Sequence, residues 1–284
     1  IISHKKQTQI KYLNFSPNRL FYKSKRPYSN MGFWPVVLNV LRNSDIVILL
    51  VDARMPELTR NSEILEKAQE MGKTVVIVFN KIDLIGKKDI TTLRNEYPEA
   101  FFISGTKRTG VTGLKDALVK FADERTTKST RVGIVGYPNI GKSTLINLLA
   151  PQTRAKVSAV SGTTKKTQWV RTGRLRIMDS PGVVPFGDRN VQIGMTASKD
   201  PHKIKNPEKV AIRIIEFLIK KNRALLRKFY DIDVEGESRD KDAYEVFEDI
   251  ARKKGFLLKG GIVDENRTSI KIIDDWQRGR IKLK

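Results

Sequence analysis

An eight-residue glycine-rich segment near the middle of the chain limits the possible folds more than any other feature. Residues 136–143 read Gly-Tyr-Pro-Asn-Ile-Gly-Lys-Ser, with an apolar run at 132–135 before them and a helical pattern at about 141–149 after them. Glycines at these two places allow backbone N–H groups to converge on phosphate oxygens at the N-terminus of a helix. The segment therefore predicts a strand, a phosphate-binding loop and a helix in direct succession.

Short apolar runs alternate with amphipathic runs around this loop. Strands are predicted at 45–51, 74–79, 101–104 and 132–135, and helices at 62–71 and 114–121. Polar and apolar residues also alternate at 166–172 and 174–178 around Gly173, which indicates a hairpin. Strands that alternate with helices favour a doubly wound arrangement, so we expect an α/β fold with a Rossmann-like, mostly parallel sheet.

The chain divides into three parts by composition. Strand signals stop after Pro185, and apolar residues at helical spacing predict helices at 208–229, 242–254 and 268–276. The first residues are instead rich in basic and aromatic side chains. We therefore predict an N-terminal arm at 1–30, a nucleotide-binding α/β domain at 31–190 and a helical domain at 191–284.

The net charge of +23 over 284 residues favours a polyanionic partner. Eight lysine and arginine residues precede the first acid, Asp45, and aromatic residues that include Trp34 are interleaved with them. Cations neutralise phosphates and rings stack on unpaired bases, so this segment indicates RNA binding, with a solvated arm as the alternative. Further phosphate contacts are expected from Lys165, Lys166, Arg171, Arg174, Arg176 and the region 199–228, with solvated surface as the alternative for about half of them.

Composition also excludes or disfavours several classes of site. The chain has no cysteine, which excludes disulfides and thiolate catalysis, and its two histidines argue against a zinc site. No apolar run approaches the roughly 18 residues that a membrane-spanning helix needs, so no membrane partner is expected. A chain without cysteine fits a reducing compartment, and we expect the cytoplasm.

The tetrapeptide Asn80-Lys81-Ile82-Asp83 follows the predicted strand at 74–79 and indicates which base is bound. A carboxylate at Asp83 can accept hydrogen bonds from the N1–H and the exocyclic amine of guanine, whereas adenine has no donors at those places. Asn80 can bond the edge of the base, and the stem of Lys81 can lie on its face. By itself the tetrapeptide more often marks a solvated turn, but beside a phosphate loop in one α/β domain guanine recognition is favoured.

Contacts to the nucleotide are expected from several short segments. Ser104, Gly105 and Thr106 end the third predicted strand and would back the base. Lys142 would reach the β- and γ-phosphates, and the Ser143 hydroxyl would ligate Mg²⁺. The full nucleotide-binding set is Asn80, Lys81, Asp83, Ser104, Gly105, Thr106, Gly136, Asn139, Ile140, Gly141, Lys142, Ser143, Thr144 and Gly182.

The segment Asp179-Ser180-Pro181-Gly182 follows the predicted strand at 174–178 and matches D-x-x-G. This position would place Asp179 beside Mg²⁺ and the Gly182 N–H near the γ-phosphate. In the run Ser-Gly-Thr-Thr at 161–164, a threonine could close over the ion, and Thr164 is favoured over Thr163. A polar loop without a ligand is the alternative. We expect catalytic roles for Lys142, Thr164 and Gly182, and magnesium coordination by Ser143, Thr164 and Asp179.

The order of these motifs differs from that of an ordinary GTPase, because the Asn80 motif precedes the phosphate loop. This order resembles that of the circularly permuted GTPases of the YlqF/YawG class, which are ribosome-assembly factors. Further matches are Asp52-Ala53-Arg54 with Pro56, and Asp-Trp-Gln-Arg-Gly-Arg at 275–280. The resemblance covers residues 30–284 and implies a permuted P-loop GTPase domain, an RNA-binding helical C-terminal domain and GTP-dependent docking on the large ribosomal subunit.

On this basis the expected function is GTP hydrolysis in the assembly of the large ribosomal subunit. GTP or GDP, rRNA and a large-subunit precursor are the expected partners, and the chain is expected to be monomeric away from the ribosome. Val183 follows D-x-x-G and cannot hydrogen-bond to water, so slow intrinsic hydrolysis stimulated by a partner is expected. The alternatives are a GTPase that acts on tRNA or translation, and a GTP-gated RNA-binding scaffold with little turnover.

Two further expectations concern how the nucleotide is sensed. Asn139 lies in a Pro-Asn-x-Gly-Lys-Ser context that resembles GTPases which recruit K⁺ beside the phosphates; the alternative is that its side chain only holds the loop. The residues after Asp179 run through 183–188 towards the helical region, so this segment is expected to transmit a change of nucleotide to it.

Overall fold

The computed structural model describes residues 33–125, 127–151, 168–180, 190–235 and 240–284. The predicted N-terminal arm, Thr164, Gly182, Val183 and the 183–188 segment lie outside these ranges. The expectations attached to them therefore stay predictions.

A six-stranded sheet lies at the centre of the described residues. Its strands are β1 (Ile46–Asp52), β2 (Thr74–Asn80), β3 (Phe101–Phe102), β4 (Thr130–Val135), β5 (Gln168–Thr172) and β6 (Leu175–Asp179). The spatial order is β3-β2-β1-β4-β6-β5. The first five of these are parallel to one another, and β5 pairs antiparallel with β6 across the turn at Gly173. The predicted mostly parallel sheet and the predicted hairpin are confirmed in the described residues.

The two faces of β1 belong to different hydrophobic clusters. Val47, Leu49 and Val51 join one cluster, whereas the alternate residues, represented by Ile48 and Leu50, join the other. Both faces are covered by helices α1 (Phe33–Asn43), α2 (Pro56–Thr59), α3 (Ser62–Glu70), α4 (Lys87–Glu96), α5 (Val111–Asp123) and α6 (Lys142–Leu149). This coverage explains why the strand is apolar throughout rather than alternating.

The carboxyl ends of the central strands open onto one edge of the sheet. Asp52 at the end of β1 stands opposite Asn80 at the end of β2. The chain continues from β1 to one side of the sheet and returns through β4 on the other side. Ligands of open α/β sheets bind in the crevice at such a switch point.

Trp34 corrects one expectation about the basic segment. It lies in the first turn of α1 and is 7% exposed, packed in the core with Val37 and Leu41 of the same helix. The spacing of these residues places them on one face of the helix. Trp34 is therefore a core residue, and the expectation that it stacks on RNA with the arm is wrong.

The described residues from 190 onward contain helices and no named strand. They form α7 (Asn190–Met195), α8 (Pro207–Asn222), α9 (Ala224–Tyr230), α10 (Ala243–Lys254) and α11 (Glu265–Gln277). The single helix predicted at 208–229 is two, because Oδ1 of Asn222 accepts from the Ala224 backbone N at 3.0 Å and competes with the helical pattern. None of the helices in the described ranges is long and apolar enough to cross a bilayer.

The helical region packs closely against the sheet region. Buried residues of α8, α10 and α11 belong to the same hydrophobic cluster as those of α1 and α3. The backbone N of Leu283 also donates to the Leu84 carbonyl at 2.7 Å. The helical C-terminal region is confirmed, whereas a domain boundary at 190/191 stays a prediction.

Candidate nucleotide-binding site

The glycine-rich loop connects β4 to α6, as its motif predicts, and two of its glycines are required by close contacts. A Cβ atom on Gly136 would lie 2.8 Å from the Leu50 carbonyl oxygen. Gly141 has a φ of +108°, and a Cβ there would lie 2.4 Å from Nδ2 of Asn80. The loop can take this path because neither residue carries a side chain.

Lys142 is the first residue of α6 and is 7% exposed. Its Nζ donates to the carbonyl oxygens of Gly136 at 3.0 Å and Tyr137 at 2.8 Å. The ammonium therefore lies inside the curve of the loop, at the N-terminus of a helix. The helix dipole and this cation both favour an anion at the same place.

Asn80 connects the phosphate loop with the loop after β3. It is 4% exposed, and its Nδ2 donates to the Ile140 carbonyl at 2.8 Å. Its Oδ1 accepts from the Gly105 backbone N at 3.0 Å. One side chain thus fixes the distance between two loops that are separate in sequence. This bracing role adds to the base-edge contact expected from the tetrapeptide.

Ser104 orients the carboxylate expected to bind guanine. Its Oγ donates to Oδ1 of Asp83 at 2.6 Å and accepts from the Lys107 backbone N at 3.0 Å. Ser104 is 1% exposed, so water competes little for its hydroxyl. Asp83 lies in a 3₁₀ turn at Ile82–Leu84 and therefore has its orientation set by both the turn and Ser104.

The loop after β3 also packs on the helix that follows the phosphate loop. A Cβ on Gly105 would lie 3.1 Å from Cγ2 of Thr144 in α6. Thr106 next to it is exposed, as is suitable for a residue at the mouth of a site. The segments predicted to bind base and phosphate are therefore neighbours in the structure.

Lys81 combines an unusual backbone with an ion pair. Its φ is +65°, in the left-handed region, and its Nζ lies 2.8 Å from Oδ2 of Asp52. Burial lowers the pKa of Lys81, although the Asp52 charge opposes the shift. Burial would raise the pKa of Asp52, but the charges and hydrogen bonds of Arg54 and Lys81 outweigh it and hold that pKa well below its ordinary 3.8.

The oxygen donors expected for magnesium come from adjacent elements. Ser143 is the second residue of α6, and Asp179 ends β6, which pairs with β4 directly before the loop. Oγ of Ser180 donates to the Ile134 carbonyl at 2.8 Å and holds the end of β6 against β4. Hydroxyl and carboxylate oxygens suit Mg²⁺, so these residues fit the ion. The third expected ligand, Thr164, lies outside the described residues.

Asn139 links the phosphate loop to the helical region. Its Nδ2 donates to the Ala197 carbonyl at 2.9 Å, just after α7. Its φ is +55° and that of Ala197 is +59°, so both partners have left-handed backbones. The contact supports the bracing interpretation of Asn139. Coordination of K⁺ would use the amide oxygen of Asn139, which this hydrogen bond does not occupy.

Asp52 and Arg54 are site residues that received no role from sequence reasoning. Asp52 ends β1 and Arg54 lies two residues further on, and the two are buried at 3% and 2% exposure. The signal in the sequence was a pair of charged residues directly after the apolar run 46–51, since charged residues are seldom buried unless paired.

Two family models match this chain. Residues 29–188 match the family model described as RsgA GTPase. Residues 131–250 match the model described as 50S ribosome-binding GTPase. The first match covers the whole described site up to β6.

Individual relatives cover most of the chain. An uncharacterized GTP-binding protein of Methanocaldococcus jannaschii is 32% identical over 256 residues, which is 89% of this chain and 67% of that protein. Nucleolar GTP-binding protein 2 of Saccharomyces cerevisiae is 33% identical over 87% of this chain and 52% of its own length. This chain thus spans about half of that nucleolar relative.

A solved structure has a similar fold. The crystal structure of GNP-bound YlqF from T. maritima superposes with a TM-score of 0.56 at 25% identity. The match covers 87% of this chain and 94% of that one, including both the sheet and the helical region.

Proposed function

Since this chain belongs to the circularly permuted P-loop GTPases of the YlqF/YawG class, we propose that it hydrolyses GTP while it assists assembly of the large ribosomal subunit, and that it binds rRNA there. The family model described as 50S ribosome-binding GTPase and the nucleolar GTP-binding relatives support the ribosomal part.

The observation that carries the nucleotide part is the double hydrogen bond of Asn80. It ties the phosphate loop at Ile140 to the base loop at Gly105. A ligand that contacts both loops must present a phosphate and a base at a fixed separation. Asp83 then selects guanine through its carboxylate, and Ser104 holds that carboxylate in place.

Hydrolysis in this site requires attack of water on the γ-phosphorus and departure of the β-phosphate oxygen. Lys142 would stabilise negative charge on the β- and γ-phosphates from its place inside the loop. Mg²⁺, held by Ser143 and Asp179 when bound, would supply further positive charge at the same oxygens. The predicted roles of Thr164 and Gly182 belong to this proposal.

The rate of that step is expected to depend on a partner. Val183 stands where a water-orienting glutamine is found in many GTPases and has no polar side-chain atom. We therefore propose slow intrinsic hydrolysis that a large-subunit particle accelerates.

The β5–β6 hairpin offers a surface for rRNA. Arg171 stands directly opposite Arg176 in the antiparallel register, and like charges at such positions destabilise a sheet. The Arg176 guanidinium lies 5.4 Å from the ring centroid of Trp169, whose side chain is 38% exposed. A polyanion with unpaired bases would relieve the repulsion and could stack on the ring.

Some of the arginine residues that the sequence suggested for phosphate contacts form ion pairs within the protein instead. Arg174 pairs with Asp123 at 3.0 Å and also donates to the Arg125 carbonyl. Arg213 pairs with Glu216, and Arg227 with Asp233. These contacts support the solvated or structural interpretation for this group, and Arg171 and Arg176 are the better candidates for phosphate contacts.

Sedimentation of the tagged protein with GTP or GDP, followed by sequencing of crosslinked RNA, tests the assembly role. Association with large-subunit precursors and crosslinks to rRNA are expected. Trp169→Ala with Arg176→Ala should reduce crosslinking, whereas Arg213→Ala, which removes an exposed paired arginine, should not. Association with tRNA or mature ribosomes would contradict the assembly role, and absent turnover on large subunits would indicate a scaffold.

The compartment and the oligomeric state also belong to the proposal. We propose that the protein works in the cytoplasm and that it is monomeric when it is away from the ribosome. Fractionation of cells and sedimentation of the purified protein check these points.

A further inference from the structure

Two motifs without a role in nucleotide contact meet behind the guanine-binding loop: Asp52-Ala53-Arg54 and the segment at 275–280. Nη1 of Arg54 donates to the Trp276 carbonyl oxygen at 2.6 Å, although 222 positions separate the two residues. The guanidinium also lies over the indole ring, 4.3 Å from its centroid. Helix α11 therefore reaches the carboxyl end of β1.

Asp52 connects this contact to Lys81. Its Oδ1 accepts from the backbone N and Nε of Arg54 at 3.0 and 3.1 Å. Its Oδ2 accepts from Nη2 of Arg54 at 2.9 Å and from Nζ of Lys81 at 2.8 Å. One carboxylate thus binds both cations, and the place of the Lys81 ammonium is set by a group that Arg54 holds from the other side.

The arrangement is costly for the folded state. The side chains of Arg54 and Asp52 are 0% and 4% exposed, and that of Lys81 is 18% exposed. Two cations share one buried carboxylate here, and buried ion pairs seldom stabilise a fold more than apolar packing would. The left-handed backbone of Lys81 adds strain. Such a combination points to a role in placing Lys81 rather than in folding.

The other end of the guanine-binding loop rests on the same C-terminal segment. Leu84 directly follows Asp83, and its carbonyl accepts from the Leu283 backbone N at 2.7 Å. Ile85 and Leu283 also form a parallel bridge. Residues 276–283 therefore support the loop on the Lys81 side through Arg54 and on the Asp83 side directly.

We propose that Arg54 is a positioning residue of the guanine pocket: it acts through Asp52 to hold Lys81 against the base, and Trp276 holds Arg54. This inference rests on the proposed assignment of Lys81 and Asp83 to the guanine site. A displacement of α11 that releases Arg54 then lowers affinity for guanine nucleotides. Because coupling between binding equilibria is reciprocal, GDP or GTP also strengthens the docking of α11.

The test is a double-mutant cycle of Arg54→Met and Lys81→Met, with affinities for GDP, inosine diphosphate and pyrophosphate measured by calorimetry at low temperature. Arg54→Met should weaken GDP and inosine diphosphate equally, by about tenfold, because Lys81 contacts the ring face that both share. Pyrophosphate, which does not use Lys81, should bind as before. In the Lys81→Met background, Arg54→Met should change GDP affinity no further.

Thermal unfolding of each variant separates positioning from stability. A lower melting temperature with unchanged GDP affinity, or additive effects in the cycle, would overturn the proposal. If Arg54→Met does not unfold cooperatively, Arg54→Lys is measured instead, because it keeps the charge but loses the forked contact with Asp52 and the hydrogen bond to the Trp276 carbonyl. The same expectations hold for it at a smaller factor.

Asp83→Asn distinguishes this proposal from the guanine assignment beneath it. That variant should weaken GDP more than inosine diphosphate, which lacks the exocyclic amine. If Asp83→Asn behaves so while Arg54→Met does not alter GDP affinity, the guanine site stands and the role of Arg54 is refuted. If Asp83→Asn leaves GDP affinity unchanged, the assignment of the site itself is wrong.

Discussion

The hydroxyl of Ser104 donates a 2.6 Å hydrogen bond to Oδ1 of Asp83, so the residue expected to select guanine is oriented by the loop after β3. Ser104→Ala removes this bond and leaves the carboxylate free to rotate. A hydrogen bond to a charged group contributes about 1.5 kcal/mol, which corresponds to roughly tenfold weaker GDP binding.

Calorimetric titration with GDP checks this expectation. Thr91→Ala is the matched control, because the Thr91 hydroxyl donates to the Lys87 carbonyl oxygen within α4, at the surface. If Ser104→Ala and Thr91→Ala bind GDP with the same affinity, Ser104 has no orienting role.

Asn80→Ala should impair binding of the phosphates as well as of the base. The substitution leaves the Ile140 carbonyl and the Gly105 N–H without their partner and loosens both loops. The two hydrogen bonds contribute about 3 kcal/mol together to holding the loops in the arrangement that binds GDP, so GDP affinity should fall by about 100-fold. Affinity for pyrophosphate should fall too.

The most informative comparison is with Asp83→Asn, since that substitution should leave the affinity for pyrophosphate unchanged. Asn43→Ala, which removes a surface amide bonded to Asn39, controls for loss of an asparagine in general. Unchanged pyrophosphate binding in Asn80→Ala would show that Asn80 acts on the base alone.

The main features of the sheet were predictable because their signals are local. The apolar run before Gly136 predicted a strand at 132–135, and the structure has Thr130–Val135. Helix α4 was not predicted, because Leu93 is its one buried residue and a stripe of apolar residues is absent. Helix α1 was likewise missed, since its basic and aromatic surroundings resembled the arm.

The contacts that complete the candidate site were not predictable from local pattern. Asp52 meets Lys81 because β1 and β2 are parallel neighbours in register, and Arg54 meets Trp276 because α11 packs at the end of that strand. Each residue type was visible, but the pairing depends on topology. Sequence reasoning predicted that residues 183–188 transmit a change of nucleotide, and this stays a prediction because they lie outside the described residues. Hydrogen bonds that join Arg54, Leu84 and Asn139 to the helical region and the C-terminal segment are among the described contacts, and local pattern did not predict them.

Asp52→Asn should change the dependence of stability on pH. The folded pKa of Asp52 lies well below its ordinary 3.8, so the unfolded state binds more protons as the solution is acidified. The stabilisation is therefore fully present above about pH 4 and is lost as the pH falls below that value. At pH 7 the loss of one partner from a buried ion pair should lower the free energy of unfolding by about 3 kcal/mol.

Urea unfolding at pH 7 and at several lower values measures this effect. The difference between wild type and Asp52→Asn should shrink as the pH falls below about 4. Asp123→Asn is the control, because its side chain is 57% exposed and pairs with Arg174 at the surface. A difference that stays constant with pH would show that charge on Asp52 is not the cause.

Asn139 provides the means to decide whether a monovalent cation takes part in hydrolysis. Its Nδ2 is engaged by the Ala197 carbonyl, so coordination of K⁺ would use Oδ1 and can coexist with that hydrogen bond. A cation beside the phosphates would add positive charge where negative charge develops, and single-turnover hydrolysis should then be faster in K⁺ than in Na⁺. Asn139→Ala should abolish that difference, whereas Asn43→Ala should preserve it. If the wild-type rates are equal in the two salts and Asn139→Ala lowers both rates equally, the cation has no part in the mechanism. Asn139 then only holds the phosphate loop against Ala197.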